Sequence, residues 1–227
     1  MTSITIRHRL RVGLAAAALA AVALVAAGCE DPSVRLNQDG MVYYAAGDYT
    51  KARAAFEEAI HRNPDVGAYY FNRGMCEQVL GHFDEAIMNY QLATRISPSI
   101  VAAFESGAQC YIEKGMPDKA QESLIAGTRA NPYTGEAFIN VGRFCLSRDD
   151  LPGAKLWMAK AVAADPDNPA AHREYALLLA RIGDRDKAIQ ELRKSLDLDP
   201  VQPDVSARLT ELAPSGSQLP PAKPQTK

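Results

Sequence analysis

The 227-residue sequence has little of what catalytic, metal-binding and nucleic-acid-binding proteins usually need. It contains four histidines, four cysteines and one tryptophan, and its net charge is −2. No HExxH, GxSxG, glycine-rich phosphate loop or calcium-binding loop is present. The near-neutral charge excludes the strong basic footprint of a nucleic-acid-binding protein. We therefore expect no enzyme, no cofactor, no metal, no nucleic-acid partner and no small-molecule substrate.

A long uncharged apolar run occurs only at the N-terminus, over residues 12–27. It follows three arginines and ends in Gly28-Cys29, so the sequence predicts a secretory signal over residues 1–28. Residues 24–29 resemble a bacterial lipobox, which implies lipidation of Cys29 and a cell-envelope location facing the periplasm or exterior. Two alternatives stay open: an ordinary cleaved signal, or an uncleaved anchor, although the run is short for a span of about 20 residues. The sequence does not choose between the inner and the outer membrane.

The most regular feature of the remaining chain is an X-Pro pair every 34 residues. The five pairs begin at Asn63, Ser97, Asn131, Asp165 and Asp199. A fixed period of this size is typical of a stacked-repeat protein, in which each unit contacts only its neighbours. Such proteins present extended binding surfaces, so the repeat favours a binding scaffold over a catalyst.

Each unit, counted from Ser33, repeats a pattern of small and large residues. The eighth place is small: Gly40, Gly74, Ala108, Gly142, Ala176. The twenty-fourth is bulky and apolar: Phe56, Tyr90, Leu124, Met158, Leu192. Alanine always fills the twentieth place, and the twenty-seventh is always small. Small residues let two helices approach and large ones fill the remaining space, so each unit is predicted to be a helical hairpin.

Breaks in the pattern predict where the helices end. The first apolar series of each unit ends at Gly47, Gly81, Gly115, Asp149 or Gly183. A left-handed helix C-cap favours glycine and tolerates aspartate. The proline lies just after the second series, because it cannot continue a helix.

The unit resembles the tetratricopeptide repeat (TPR), most closely in Leu36…Gly40…Tyr43…Gly47-Asp48-Tyr49…Ala52…Phe56…Ala59…Pro64. The resemblance covers Ser33 to Gln202. It implies an all-α, right-handed superhelical solenoid with units at 33–66, 67–100, 101–134, 135–168 and 169–202. Glu77, Cys145 and His172 depart from the residues that the family usually has at their places.

The segments flanking the repeats are short. Residues 29–32 would tether the first unit to the anchor. Residues 203–213 read as a capping helix, because Val205, Leu209 and Leu212 follow helical spacing. The Pro-rich segment 214–227 is expected to lack a core.

Three cysteines remain after Cys29, namely Cys76, Cys110 and Cys145. Cys76 and Cys110 hold the same place in neighbouring units, so their spacing should be that of packed helices, about 8–10 Å. Because that exceeds the usual disulfide range, we expect three buried, unpaired thiols.

In the family that this chain resembles, the first helix of each unit lines a concave groove that binds a protein or peptide. That resemblance assigns the following residues to the groove: Asn37, Met41, Tyr44, Phe71, Asn72, Met75, Val79, Ile112, Ile139, Asn140, Arg143, Arg173 and Arg181. The N-terminal part would be apolar and the C-terminal part arginine-bearing. Trp157 has mostly small or polar counterparts, which argues for an outward position on the convex side of a second helix, where it could contact a partner; packing along a ridge beside Lys160 and Leu156 is the explanation that we favour.

Exported TPR lipoproteins that the chain resembles include the pilotins of type IV pili and the Tad pilus assembly lipoproteins. These imply a scaffold that assists the assembly or localisation of a pilus or secretion complex. A second resemblance, to lipoproteins that dock peptidoglycan hydrolases, implies an adaptor for cell-wall remodelling. A third, weaker one is to outer-membrane β-barrel assembly lipoproteins. The sequence does not separate these roles.

Overall fold

The computed structural model describes residues 31–212, and within that range the chain forms eleven α-helices and no strand. Two compact units divide at Asp65 and Val66. The first unit contains α1 (Pro32–Ala45) and α2 (Tyr49–Arg62). The second contains α3 (Gly67–Val79), α4 (Phe83–Ile96), α5 (Val101–Glu113), α6 (Pro117–Ala130), α7 (Gly135–Ser147), α8 (Leu151–Ala164), α9 (Pro169–Arg181), α10 (Arg185–Leu198) and α11 (Pro203–Leu212). The all-α repeat architecture predicted from the sequence is confirmed.

Side-chain caps and backbone turns set the helix boundaries. Asp48 caps α2 by accepting a hydrogen bond from the Lys51 amide at 3.1 Å. Asp31 likewise caps α1, which begins at Pro32, so the last two residues of the expected 29–32 tether belong to the start of this helix.

Each first helix ends in the left-handed turn that the sequence predicts. Gly47, Gly81, Gly115 and Gly183 have φ between 70° and 83°, and Asp149 has φ 58°. In the first turn the Asp48 amide donates to the Tyr43 carbonyl at 2.9 Å, and the Gly47 amide donates to the Tyr44 carbonyl at 3.0 Å. This Schellman pattern satisfies carbonyls that the helix end would otherwise leave unpaired. It also starts the second helix within a few residues of the first.

Within each hairpin, the eighth-place residue lies against the twenty-fourth-place side chain. A methyl group built on Gly40 would come within 2.5 Å of the Phe56 ring, and one on Gly142 within 2.9 Å of Met158. Phe56 is fully buried. The small residue is therefore a packing requirement, because the large partner occupies the space that a Cβ would need.

The core of the second unit runs through consecutive hairpins. One buried cluster joins Ala108 and Leu124 to Val141, Met158 and Leu178. Each of α4, α6 and α8 packs against both its own hairpin partner and the first helix of the next hairpin. The buried side chains Val205 and Leu209 of α11 join Ala176 and Leu192, so this helix covers the apolar end of the last hairpin.

Candidate protein-binding surface

In the second unit, one side of the first helices carries exposed apolar residues. We call this side of α3, α5, α7 and α9 the first-helix face. It exposes Val79 at 49%, Ile112 at 42% and Leu177 at 40% of their surface. Exposed aliphatic side chains on a repeat surface are candidates for partner contact, because each would lose water-exposed apolar area on binding.

Two of the aromatic and methionine positions assigned to the groove contribute to the core instead of standing free in solvent. The Phe71 ring lies 5.7 Å from the ring of buried Tyr90, and both Phe71 and Met75 pack against a buried cluster. Asn72 is half-buried on the same helix. Phe71 and Met75 can present only part of their surface to a partner, so truncating them would also weaken the fold.

The family resemblance assigns Ile139 to the groove, and the structure corrects this assignment. Its side chain is only 3% exposed and packs with Ala161 and Ala171. The neighbouring Asn140 is also buried, and its amide donates to a Glu105 carboxylate oxygen at 3.2 Å. The face at α7 is therefore formed mainly by polar and charged side chains.

The three groove arginines already have acidic neighbours. Arg143 lies 2.9 Å from Glu174, and its guanidinium pKa is raised, chiefly by the hydrogen bond to that carboxylate. Arg173 lies 3.5 Å from the same carboxylate. Arg181 lies 3.1 Å from Asp149. Because these partners partly balance the positive charge, the expected attraction for an acidic ligand is weaker than the arginine count implies.

A shallow cleft lies on this face between α5 and α7. Its volume is about 220 Å³, and its lining includes Glu105, Ile112, Asn140 and Arg143. The cleft combines an exposed aliphatic side chain with carboxylate, amide and guanidinium groups. Such a lining suits a polypeptide segment, which offers both apolar side chains and backbone hydrogen-bonding groups.

The first unit, considered by itself, places its three groove candidates along α1. Met41 is exposed, whereas Asn37 and Tyr44 are half-buried. The Tyr44 ring meets the Tyr49 ring edge-on at 5.2 Å. Met41 is therefore the most accessible of the three, and its role in binding stays a prediction.

Trp157 packs on its own hairpin, which is the explanation favoured from the sequence, and does not stand free as an interface contact. Its ring is half-buried, 6.1 Å from Phe138 of the same hairpin, and Lys160 lies over it at 4.1 Å. Two other hairpins show the same geometry: Ser123 bonds to the Phe104 carbonyl, and Glu191 to His172. The twenty-third place thus faces the fourth place of its own hairpin.

Buried His172 and half-buried Glu191 form a polar pair that sequence reasoning missed. The His172 Nδ1 lies 2.6 Å from the Glu191 carboxylate, and Nε2 lies 2.8 Å from the Pro166 carbonyl. The pairing of the fourth and twenty-third places could have been found by comparing these positions across units. The interaction satisfies both ring nitrogens of a buried histidine, so its role is structural.

The described residues offer no arrangement suited to metal binding, since no group of three or more His, Cys, Asp or Glu side chains meets within 31–212. Cys76, Cys110 and Cys145 are buried and form no disulfide, as predicted. Burial raises the pKa of the Cys110 thiol to about 11 and also raises that of Cys145. A neutral buried thiol is a poor nucleophile.

The predicted signal over 1–28, the lipidation site Cys29 and the tail 214–227 lie outside the described residues. Between residues 31 and 212, no helix is long and apolar enough to cross a membrane.

Comparison with protein families identifies the class of this protein. Tetratricopeptide repeat models match residues 38–99 and 108–169, and a further one matches residues 146–212. The chain belongs to the tetratricopeptide repeat family. Proteins of this family act as protein–protein interaction scaffolds that bind peptide or protein partners, and the fold is generally non-catalytic.

Curated relatives share the repeat over parts of their length. Hsp70-Hsp90 organizing protein 3 of Arabidopsis thaliana is 27% identical over 195 residues, covering 80% of this chain and 35% of that protein. The TPR repeat-containing protein YpiA of Bacillus subtilis is 24% identical over 159 residues, covering 69% of this chain and 37% of that protein. The protein CTR9 homolog of Arabidopsis thaliana matches over only 10% of its length. This chain thus spans far less than two thirds of these relatives.

Solved structures share the fold at low identity. The TPR protein TTC0263 of Thermus thermophilus superposes with a TM-score of 0.55 at 21% identity, covering 79% of this chain and 98% of that one. YrrB, described as a TPR protein with an unusual peptide-binding site, gives 0.50 at 18% identity, covering 80% and 93%. A TPR protein from Parabacteroides merdae gives 0.56 at 19% identity, covering 81% and 73%. These likenesses concern the fold alone.

Proposed function

We propose that this protein is a lipid-anchored scaffold of the bacterial cell envelope that binds a polypeptide segment on its first-helix face. The observation that carries the binding role is the exposure of Val79, Ile112 and Leu177 on that face. Membership in the TPR family supports the proposal that the partner is a polypeptide. YrrB, a structural neighbour, is described as having a peptide-binding site.

The expected ligand is an extended or helical segment with two or three apolar anchors. Spaced aliphatic side chains on α3, α5 and α9 suit spaced side chains on a ligand. Glu174, the acidic partner of Arg143 and Arg173, gives the face both positive and negative charge. We therefore expect these charges to orient the ligand and not to attract an acidic ligand strongly.

The anchor part of the proposal rests on the sequence. The apolar run at 12–27 ends in Ala27-Gly28-Cys29, and Asp31 already caps the first helix. Lipidation of Cys29 would therefore place the repeats next to a membrane surface. Cys29→Ser should leave an unprocessed precursor, which mass spectrometry of the intact chain would detect. Cleavage of that variant at the wild-type position would indicate an ordinary signal peptide.

The role that we favour is assistance in assembling or localising a pilus or secretion complex, because exported TPR lipoproteins of that kind resemble this chain. The second candidate, an adaptor for peptidoglycan hydrolases, has the same anchor and the same kind of binding face. The identity of the bound protein distinguishes them: a secretin or pilus assembly subunit favours the first role, and a hydrolase favours the second.

The binding face can be tested by affinity purification of the tagged full chain from detergent-solubilised envelopes. Val79→Asp and Ile112→Asp should remove the specific partner, since loss of an interface hot spot costs about 2 kcal/mol or more, roughly 30-fold in affinity. Leu156→Asp is the matched control, because Leu156 is 54% exposed on a second helix, α8. If Val79→Asp and Ile112→Asp both keep the partner while Leu156→Asp loses it, the partner binds elsewhere and not on the first-helix face.

A further inference from the structure

A second concavity lies away from the first-helix face, between α4, α5 and α6. Its volume is about 400 Å³, and its walls include the aromatic side chains Tyr90, Phe104 and Tyr111. The remaining wall carries the small residues Gly107, Ser123 and Ala126, and exposed Gln91, Lys119 and Glu122 also line it. This volume lies within the range of about 300–1,000 Å³ that is typical of ligand sites. We call it the α4–α6 cavity.

The cavity exists because one hairpin of the second unit has small residues where the other hairpins of that unit have larger ones. In the α5–α6 hairpin, the seventh, twenty-third and twenty-sixth places are Gly107, Ser123 and Ala126. In the other hairpins of the second unit these places hold Arg73, Asn89 and Leu92; Val141, Trp157 and Lys160; and Tyr175, Glu191 and Lys194. Among the hairpins of the second unit, the α5–α6 hairpin thus has the smallest residue at all three places, and the space between its helices and α4 stays open.

The next hairpin shows what chemistry fits such a space. There the indole of Trp157 packs against Phe138 at a centroid distance of 6.1 Å, and Lys160 covers the ring. Phe104 holds the place of Phe138, and Ser123 holds the place of Trp157. The Ser123 hydroxyl already donates to the Phe104 carbonyl at 2.9 Å, so it leaves the aromatic wall uncovered. An aromatic ring is therefore the group that the next hairpin places in the equivalent position.

We propose that the α4–α6 cavity receives an aromatic side chain, of tryptophan size, from a partner polypeptide. Offset aromatic contacts with Phe104 and Tyr111 would stabilise the ring beyond simple burial. This surface is distinct from the first-helix face, so the scaffold would hold a second contact independent of the function proposed above.

The sequence excludes two possible sources of the aromatic ring. Residues 1–30 and 213–227 contain no phenylalanine, tyrosine or tryptophan, so neither of these two segments can supply it. A polypeptide is favoured over a free aromatic molecule because a second depression of about 280 Å³ adjoins the cavity and shares Gln91 with it. That depression is lined by Met88, 62% exposed, and by Leu92, so it would take a second apolar side chain of the same segment.

Ligand-observed ¹⁹F NMR on the full chain tests the proposal, with N-acetyl-5-fluorotryptophanamide as the probe. We expect saturable binding with a millimolar Kd that an excess of N-acetylleucinamide does not reverse. Ser123→Trp rebuilds the filled state of the next hairpin and should weaken binding at least about tenfold. Arg129→Trp, which adds the same ring at an exposed position of α6 outside the cavity, should keep the affinity within about twofold.

A second filling variant protects the test against misfolding of the first. Gly107→Val copies Val141 of the next hairpin, and a Cβ at Gly107 would meet only ordinary contacts at 3.6 and 3.7 Å. It should weaken probe binding as Ser123→Trp does, while circular dichroism shows unchanged helix content. Absence of saturable binding, or binding that both filling variants leave intact, would overturn the proposal. Equal binding of the leucine amide would overturn the aromatic specificity.

Two further measurements test the source of the ring. Blocked peptides with leucine one to four residues from fluorotryptophan should include one that binds more tightly than the single amide, and Met88→Asp should remove that gain. The absence of any gain would favour a free aromatic ligand and overturn the polypeptide source. Tyr133 is 85% exposed, so a second copy could also supply a ring. Sedimentation measures whether the chain self-associates. Self-association that is lost in both Ser123→Trp and Tyr133→Ala would show that a second copy supplies the ring, and would overturn the proposal of a different partner polypeptide.

Discussion

Two glycines that contact the same tyrosine should respond in opposite directions to the same substitution. Gly74 lies in α3 and Gly107 in α5, and both face buried Tyr90 of α4. A methyl group on Gly74 would lie 2.8 Å from Tyr90 Cε1 and 3.2 Å from the Asn89 Cβ. A methyl group on Gly107 would lie 3.6 Å from the Tyr90 Cβ, which is an ordinary contact.

The magnitudes follow from two opposing terms. Alanine is favoured over glycine inside a helix by about 0.5–1 kcal/mol. Overpacking a close contact costs about 1–3 kcal/mol, and the Tyr90 ring cannot easily move because it is buried and its hydroxyl bonds to Gln78 at 2.6 Å. We therefore expect Gly107→Ala to raise the free energy of unfolding by about 0.5–1 kcal/mol. Gly74→Ala should lower it by about 1–2 kcal/mol.

Urea unfolding followed by far-ultraviolet circular dichroism, with thermal melts in parallel, measures both effects. For a protein of this size each kcal/mol shifts the Tm by about 2–4 °C, so the two variants should differ by several degrees. Tyr90→Leu provides the control, because removal of the ring should reduce the penalty of Gly74→Ala while leaving the gain of Gly107→Ala. Stabilisation by both substitutions would show that the ring moves aside at little cost, and would refute the packing argument.

Three other predictions concern local features. Because burial raises its pKa to about 11, Cys110 should resist alkylation by iodoacetamide at pH 8 in the folded protein and react on unfolding in urea; rapid native labelling would contradict its burial. Asp149→Gly should raise the free energy of unfolding by up to about 1 kcal/mol in urea titrations, because glycine adopts its φ of 58° without a Cβ penalty, whereas Asp149→Ala should lower it. His172→Leu should lower the free energy of unfolding by about 1–3 kcal/mol, because it removes the hydrogen bonds to Glu191 and Pro166. Adding Glu191→Ala to this variant should restore part of the lost stability. An unchanged melting temperature for His172→Leu alone would show that the pair does not stabilise the fold.

The sequence by itself determined the hairpins and their boundaries. The small residue at Gly40 and the left-handed turn at Gly47 answer local steric demands, and the same demands recur in each unit at a fixed spacing. Five repetitions in register make such a pattern readable without coordinates. For the same reason the absence of a disulfide between Cys76 and Cys110 could be predicted, since equivalent places on packed helices are too far apart for one.

Only the tertiary structure decided which side chains are available to a partner. Ile139 holds a groove place in the family pattern, yet Ala161 and Ala171 cover it. Trp157 is half-buried because its ring packs beside Phe138, and Arg143 is paired with Glu174 from the next hairpin. These outcomes depend on the particular residues that meet across helices, which differ from hairpin to hairpin. A periodic pattern specifies the backbone that all units share, whereas exposure and charge pairing depend on side-chain volumes and neighbours that are specific to each unit.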